Sequence, residues 1–145
     1  MIEVNKLDER RQKLTAELEK SFRIVFRTFK KEIAELFGEQ ITNNEFIFLK
    51  YICEEGPKKV SELASEFHVT LSHVTAVIDR LVNRELVERH RSKTDRRVVR
   101  LHITEQGKHL VEKLEKEKRE HLQRKFESLT SEEMETMATL MKKLI

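Results

Sequence analysis

The 145-residue sequence holds one cysteine, one proline and three glycines. So few chain breakers favour helices over a loop-rich β fold. With Cys53 alone, no intramolecular disulfide can form. No apolar run approaches the length of a membrane span, and Met1–Gln12 is too polar for a secretory signal. A cytoplasmic location without a membrane partner is expected. Also missing are a nucleophile beside a base, a glycine-rich phosphate loop and paired carboxylates in a catalytic setting. The six histidines form no tight cluster with carboxylates or with Cys53. We therefore expect no enzyme activity, no metal and no cofactor.

What the chain does have is charge in one place. Charged and hydrophobic residues make up 38% each, which argues against disorder. The formal net charge is only +3, but the segment from Lys58 to Thr104 carries ten Lys/Arg against six acids. That basic block lies within a near-neutral frame, the electrostatic footprint of nucleic-acid binding.

Hydrophobic spacing divides the rest. From Leu7 to Phe37, the residues Leu14, Leu18, Phe22, Val25, Phe29, Ile33 and Leu36 recur in steps of four and three, a heptad-like stripe ended by Gly38. Thr42-Asn43-Asn44-Glu45 has the form of a capping box before Phe46, Ile47, Leu49 and Ile52, and this second helix ends near Gly56-Pro57. Ser61 is placed to cap a short third helix with Leu63, Ala64 and Phe67 inside, followed by a turn at His68–Thr70. Thr70 caps a fourth helix, Leu71–Arg84, whose Val74, Val77, Ile78, Leu81 and Val82 match a half-buried face.

After Glu85 the period changes to two. Val99, Leu101 and Ile103 alternate with Arg100 and His102 and pair with Leu86-Val87 across a polar tip, Ser92–Asp95. Helical spacing returns with Leu110, Leu114, Leu122 and Phe126. A second capping box, Thr130-Ser131-Glu132-Glu133, opens a terminal helix bearing Met134, Met137, Ala138, Met141 and Ile145. The expected fold is mainly α with a small β-hairpin wing: a winged helix-turn-helix with long N- and C-terminal dimerisation helices. Residues 1–37 and 105–145 are expected to dimerise, and residues 38–104 to bind DNA.

At 100° per residue, Ser72, Ala76, Asp79, Arg80 and Asn83 point away from the core, with His73, Thr75 and Arg84 on the flanks. Small polar groups lead this face, which suits a helix presenting its N-terminal end to the major groove. Ser72, His73, Thr75 and Ala76 are candidates for base edges, and Arg80 and Arg84 for phosphates. The hairpin concentrates Arg89, Arg91, Lys93, Arg96, Arg97 and Arg100 in twelve residues against Asp95 alone. An arginine at its tip is suited to a narrow minor groove.

The run from Asp95 through Arg97, Leu101 and Thr104 to Gly107 fits D-x-R-x-x-x-L-x-x-T-x-x-G, and here the chain resembles the multiple-antibiotic-resistance regulator (MarR) family. Val74–Glu88, VTAVIDRLVNRELVE, is similar to that family's recognition helix running into its wing. The resemblance implies a homodimer with intertwined terminal helices that binds palindromic operators in double-stranded DNA, usually as a repressor. It further implies that Arg97 enters the minor groove and that Asp95 helps hold the wing. The unmatched apolar faces of the terminal helices ask for a second copy independently.

Within that family, hydroperoxide regulators carry a reactive thiol early in the first helix with tyrosines nearby. Here that helix has no cysteine and Tyr51 is the only tyrosine, so Cys53 is read as a small buried core residue. Phe22, Phe26, Phe29, Phe46 and Phe48 are candidates to line a pocket for a small aromatic or amphipathic effector, although helical spacing suits them equally to core packing. A different class of function also fits the charge: a winged-helix protein-interaction module docking an acidic protein.

Overall fold

The computed structural model describes the backbone of residues 2–145 and the side chains of residue 3 and residues 6–145. The chain divides into two compact units, Met1–Asn43 and Asn44–Ile145.

The first unit is built on α1 (Ile2–Phe37), which starts before the expected Leu7. It ends where the spacing predicts, because Gly38 adopts a left-handed φ of +56° while its N–H donates to the Ala34 carbonyl at 3.0 Å. Three members of the α1 stripe, Leu14, Leu18 and Val25, are exposed, as are Leu7 and Phe26 on the same helix.

The second unit contains α2 (Asn43–Glu55), α3 (Val60–Glu66), α4 (Leu71–Asn83), β1 (Val87–Arg91), β2 (Val99–Ile103), α5 (Glu105–Phe126) and α6 (Ser131–Met141), with a 3-10 turn at Lys142–Leu144. Its core comprises Phe46, Phe48, Leu49 and Ile52 of α2, Leu63 and Ala64 of α3, Val74, Val77, Ile78 and Leu81 of α4, Leu86, Val87 and Leu101 at the hairpin, and Val111 and Leu114 of α5. Val82 lies only half-buried at the edge of this set.

Local chemistry explains the boundaries. The α3 helix begins two residues before the position expected from a Ser61 cap, so Ser61 lies inside it. Its amino end is satisfied instead by Glu62, whose carboxylate accepts from the Lys59 N–H at 2.8 Å. That bond, the largest influence, holds the Glu62 carboxyl below its ordinary range. Thr70 caps α4 by accepting from the His73 N–H at 3.1 Å. The α4 helix closes at Glu85, a non-glycine residue at φ +59°, and the Leu86 N–H returns to the Leu81 carbonyl at 3.0 Å.

The hairpin is antiparallel, with Val87 opposite Ile103 and Arg89 opposite Leu101. Lys58 adds a one-residue third strand: its N–H donates to Leu101 O, and Leu101 N–H donates back at 2.7 Å. Thr104 joins wing to helix by donating its hydroxyl hydrogen to the Glu85 carbonyl at 2.7 Å and accepting from the Gly107 N–H at 3.0 Å. The predicted capping box of α6 is present, with Thr130 and Glu133 bonded reciprocally at 2.9 and 3.1 Å. The α6 helix buries no residue within the single chain.

Candidate nucleic-acid interface

The α4 helix presents the face that its spacing predicts. Ser72, His73, Thr75, Ala76, Asp79, Arg80, Asn83 and Arg84 are exposed, while Val74, Val77, Ile78 and Leu81 are buried. These exposed residues differ in freedom. The Ser72 hydroxyl stands 3.1 Å from that of the capping Thr70, so part of its hydrogen-bonding capacity is used locally. The His73 ring lies edge-on to Phe48, with centroids 6.1 Å apart, and Phe48 in turn meets Phe67 at 5.1 Å. One side chain thus combines a place on the exposed α4 face with packing against a core ring.

Arg80 and Arg84 converge on Glu45. Arg80 Nε donates to Glu45 Oε1 at 2.9 Å, and Arg84 Nη1 lies 3.6 Å from Oε2. The Glu45 side chain is 6% exposed, against 53% for Arg80 and 40% for Arg84. A buried carboxylate needs such partners, since an isolated charge in the interior is strongly disfavoured. Sequence reasoning read Glu45 only as half of a capping box. No local pattern announces its tie to a helix 35 residues away.

Ion pairing also reaches the wing. Arg89 in the middle of β1 pairs with Asp79 of α4, tying the hairpin to that helix. At the tip, Ser92 Oγ accepts from the Thr94 and Asp95 N–H groups at 3.3 Å each, and the Val98 N–H donates to Asp95 O at 3.0 Å. Arg91 Nη1 donates to the Arg96 carbonyl at 2.7 Å, so this cation braces the loop. Asp95 Oδ1 accepts from the Arg97 backbone N–H at 3.0 Å and from its Nε at 3.3 Å. The Arg97 side chain nevertheless remains 92% exposed. Lys93 and Arg96 are exposed beside it.

On the outer face of the hairpin lies a pair that the sequence reading did not single out. The rings of His90 and His102 stack with centroids 4.1 Å apart and planes 22° from parallel, and Glu88 lies 2.9 Å from His90 Nε2. Burial, then the neighbouring His90, pushes the His102 pKa below its ordinary value. Alternation in two adjacent strands carried the signal, because Glu88 faces His102 in the register.

The remaining candidates fall in both units. Phe22 and Phe26 stack on α1 with centroids 5.8 Å apart, Phe26 exposed and Phe29 half-buried. Phe46 and Phe48 are core residues of the second unit. Cys53 is half-buried rather than fully buried, because its position on α2 lies at the margin of the core. Burial still raises its thiol pKa. Among the described residues, no three His, Cys, Asp or Glu side chains are placed to hold a metal ion, and no helix is long and apolar enough to cross a membrane.

The family model described as MarR family matches residues 41–99. An uncharacterised HTH-type transcriptional regulator of Bacillus subtilis, YpoP, is 39% identical over 92% of this chain and 95% of its own length. The chain belongs to the MarR family. As such it is an HTH-type transcriptional regulator rather than an enzyme. Two solved structures agree with the fold of this MarR-family chain. A MarR family protein from Bacillus stearothermophilus has a TM-score of 0.83 at 29% identity, covering 92% of this chain and 94% of its own. A cysteine-to-serine mutant of MarR from E. coli, complexed with operator DNA, has a TM-score of 0.75 at 27% identity over 89% and 94%.

Proposed function

We propose that this chain acts as a homodimer that occupies palindromic operators in double-stranded DNA and represses transcription from them. The observation that carries the reading is the junction of the exposed α4 face with a cationic hairpin whose braced tip presents Arg97 almost fully to solvent. In this reading His73, Thr75 and Ala76, with the free capacity of Ser72, meet base edges in the major groove. Arg80, Arg84, Lys93 and Arg96 contact phosphates, while Arg91 and Asp95 hold the tip so that Arg97 enters the minor groove. The E. coli MarR solved with operator DNA supports the same use of the fold.

Dimerisation follows from unburied apolar surface. Leu7, Leu14, Leu18 and Phe26 on α1, and Met134, Met137, Leu140 and Met141 on α6, are each at least 40% exposed in the single chain. Two-fold symmetry then sets the recognition helices about one duplex turn apart. A small aromatic or amphipathic effector, accepted beside Phe22, Phe26 and Phe29, relieves repression by shifting the dimer away from the DNA-competent spacing.

Selection from random duplexes tests the reading. Enrichment of an inverted repeat, bound with an affinity that falls linearly in log–log plots against salt, is the expected result. Arg97→Ala is expected to weaken binding about tenfold at AT-rich sites, whereas Thr75 substitutions change which sequence is enriched. Weak, sequence-blind binding would instead favour a protein-docking module.

A further inference from the structure

The Glu45 carboxylate is the one buried charged group among the described residues, and it lies beneath the DNA-facing helix. It belongs to the first turn of α2, yet it reaches the last turns of α4, where it accepts from Arg80 Nε and stands near Arg84 Nη1. Glu45 therefore grips two recognition-helix cations from below while both keep exposed surface above.

We propose that Glu45 is a positioning residue for DNA binding, holding the Arg80 and Arg84 guanidinium groups in the orientation in which they meet phosphate. The inference rests on the DNA-binding reading above and names a residue in it that makes no DNA contact itself.

The chemistry supports a hold rather than a block. A guanidinium has five N–H donors in a rigid fork, and engaging Nε leaves the terminal nitrogens of Arg80 available to an incoming phosphate. An unrestrained arginine must lose rotamer freedom when it binds, and a side chain already held loses less. The two arginines also outnumber the carboxylate, so the group still carries a net positive charge toward the duplex.

Charge and positioning predict opposite signs, which makes the proposal testable. If only charge mattered, Glu45→Gln would remove a negative charge near DNA, raise affinity and steepen the salt dependence. If Glu45 positions, Glu45→Gln keeps the shape of the side chain, lowers affinity for the selected duplex about three- to tenfold and does not steepen the salt slope. Arg80→Lys keeps the charge but has no Nε–H fork, and it is expected to show a similar loss in a chain whose buried carboxylate is intact. The two losses are expected to be non-additive in the double variant, because both remove one contact.

The experiment is titration of the intact protein and these three variants against the selected duplex over a range of salt concentrations, with thermal melts of each. The proposal is overturned by Glu45→Gln binding as tightly as wild type or more tightly. It is overturned equally by fully additive losses, or by Arg80→Lys retaining wild-type affinity; the last applies even where Glu45→Gln fails to fold. If wild type selects no duplex, the DNA-binding reading falls and this proposal with it. If wild type binds and the variants match it, only this proposal falls.

Discussion

Replacing Gly107 by alanine should loosen the joint between wing and α5. A Cβ at this position would fall well inside contact distance of the Leu86 carbonyl oxygen, 2.8 Å from Ile103 Cγ1 and 3.3 Å from the Leu86 carbonyl carbon. Ile103 Cγ1 sits on a stiff β-branched side chain and the Leu86 carbonyl is backbone, so α5 or the segment at Leu86 must move. Overpacking of that kind costs about 1–3 kcal/mol. Movement also strains the bonds from the Thr104 N–H to Leu86 O and from the Thr104 hydroxyl to Glu85 O, worth about 1 kcal/mol each. Against this, alanine is favoured over glycine in a helix by about 1 kcal/mol. The net expectation is a loss of about 2–4 kcal/mol, or a fall in Tm of roughly 10 °C for a chain of this size. Urea and thermal melts at one fixed protein concentration would measure it, since a dimer's stability depends on concentration. An alanine variant as stable as wild type, or more stable, would mean that helix propensity outweighs the close approach and that the joint is not tight.

Thr70→Ala removes the oxygen that accepts from the His73 N–H and is expected to destabilise α4 by about 1 kcal/mol, read as a lower urea midpoint with unchanged slope. His102 has a pKa lowered by burial and by its neighbour His90, with Glu88 opposing and Arg100 reinforcing that shift. The unfolded chain therefore takes up this proton first, and the contribution of His102 to stability is lost as pH falls below about 6.5. The difference in stability between wild type and His102→Asn should change between neutral pH and pH 5.5; a flat difference would refute the argument. Cys53, with its thiol pKa raised by burial, should react with an aromatic disulfide at neutral pH more slowly in the native protein than in the urea-unfolded chain. A faster native reaction would reverse the inferred environment.

Much of the fold follows from spacing and capping residues. Thr70 and Thr130 start helices, Gly38 stops one, and the change of period after Glu85 marks the hairpin, because each of these signals acts within a few residues of its own backbone. The wing signature is local only in part. Asp95 binds the Arg97 N–H and Thr104 caps α5, each within a few residues, whereas Leu101 is buried in the core and Gly107 leaves room for the distant Leu86 carbonyl.

Other features depended on contacts between distant segments, which carry no periodic trace. Ser61 has the composition of a cap, but Glu62 took the role one turn in, bonding at Lys59, where Lys58 is tied to Leu101 of the hairpin. Cys53 occupies an apolar helix, yet its degree of burial depended on what packed beside α2. Local spacing is enough to set out the order of helices, the hairpin and the cationic face. Which of those cations are engaged depends on packing between elements, which brings Glu45 under Arg80 and Arg84 and Asp79 against Arg89. Spacing along one chain specifies a face; it does not specify which charge another element buries beneath that face.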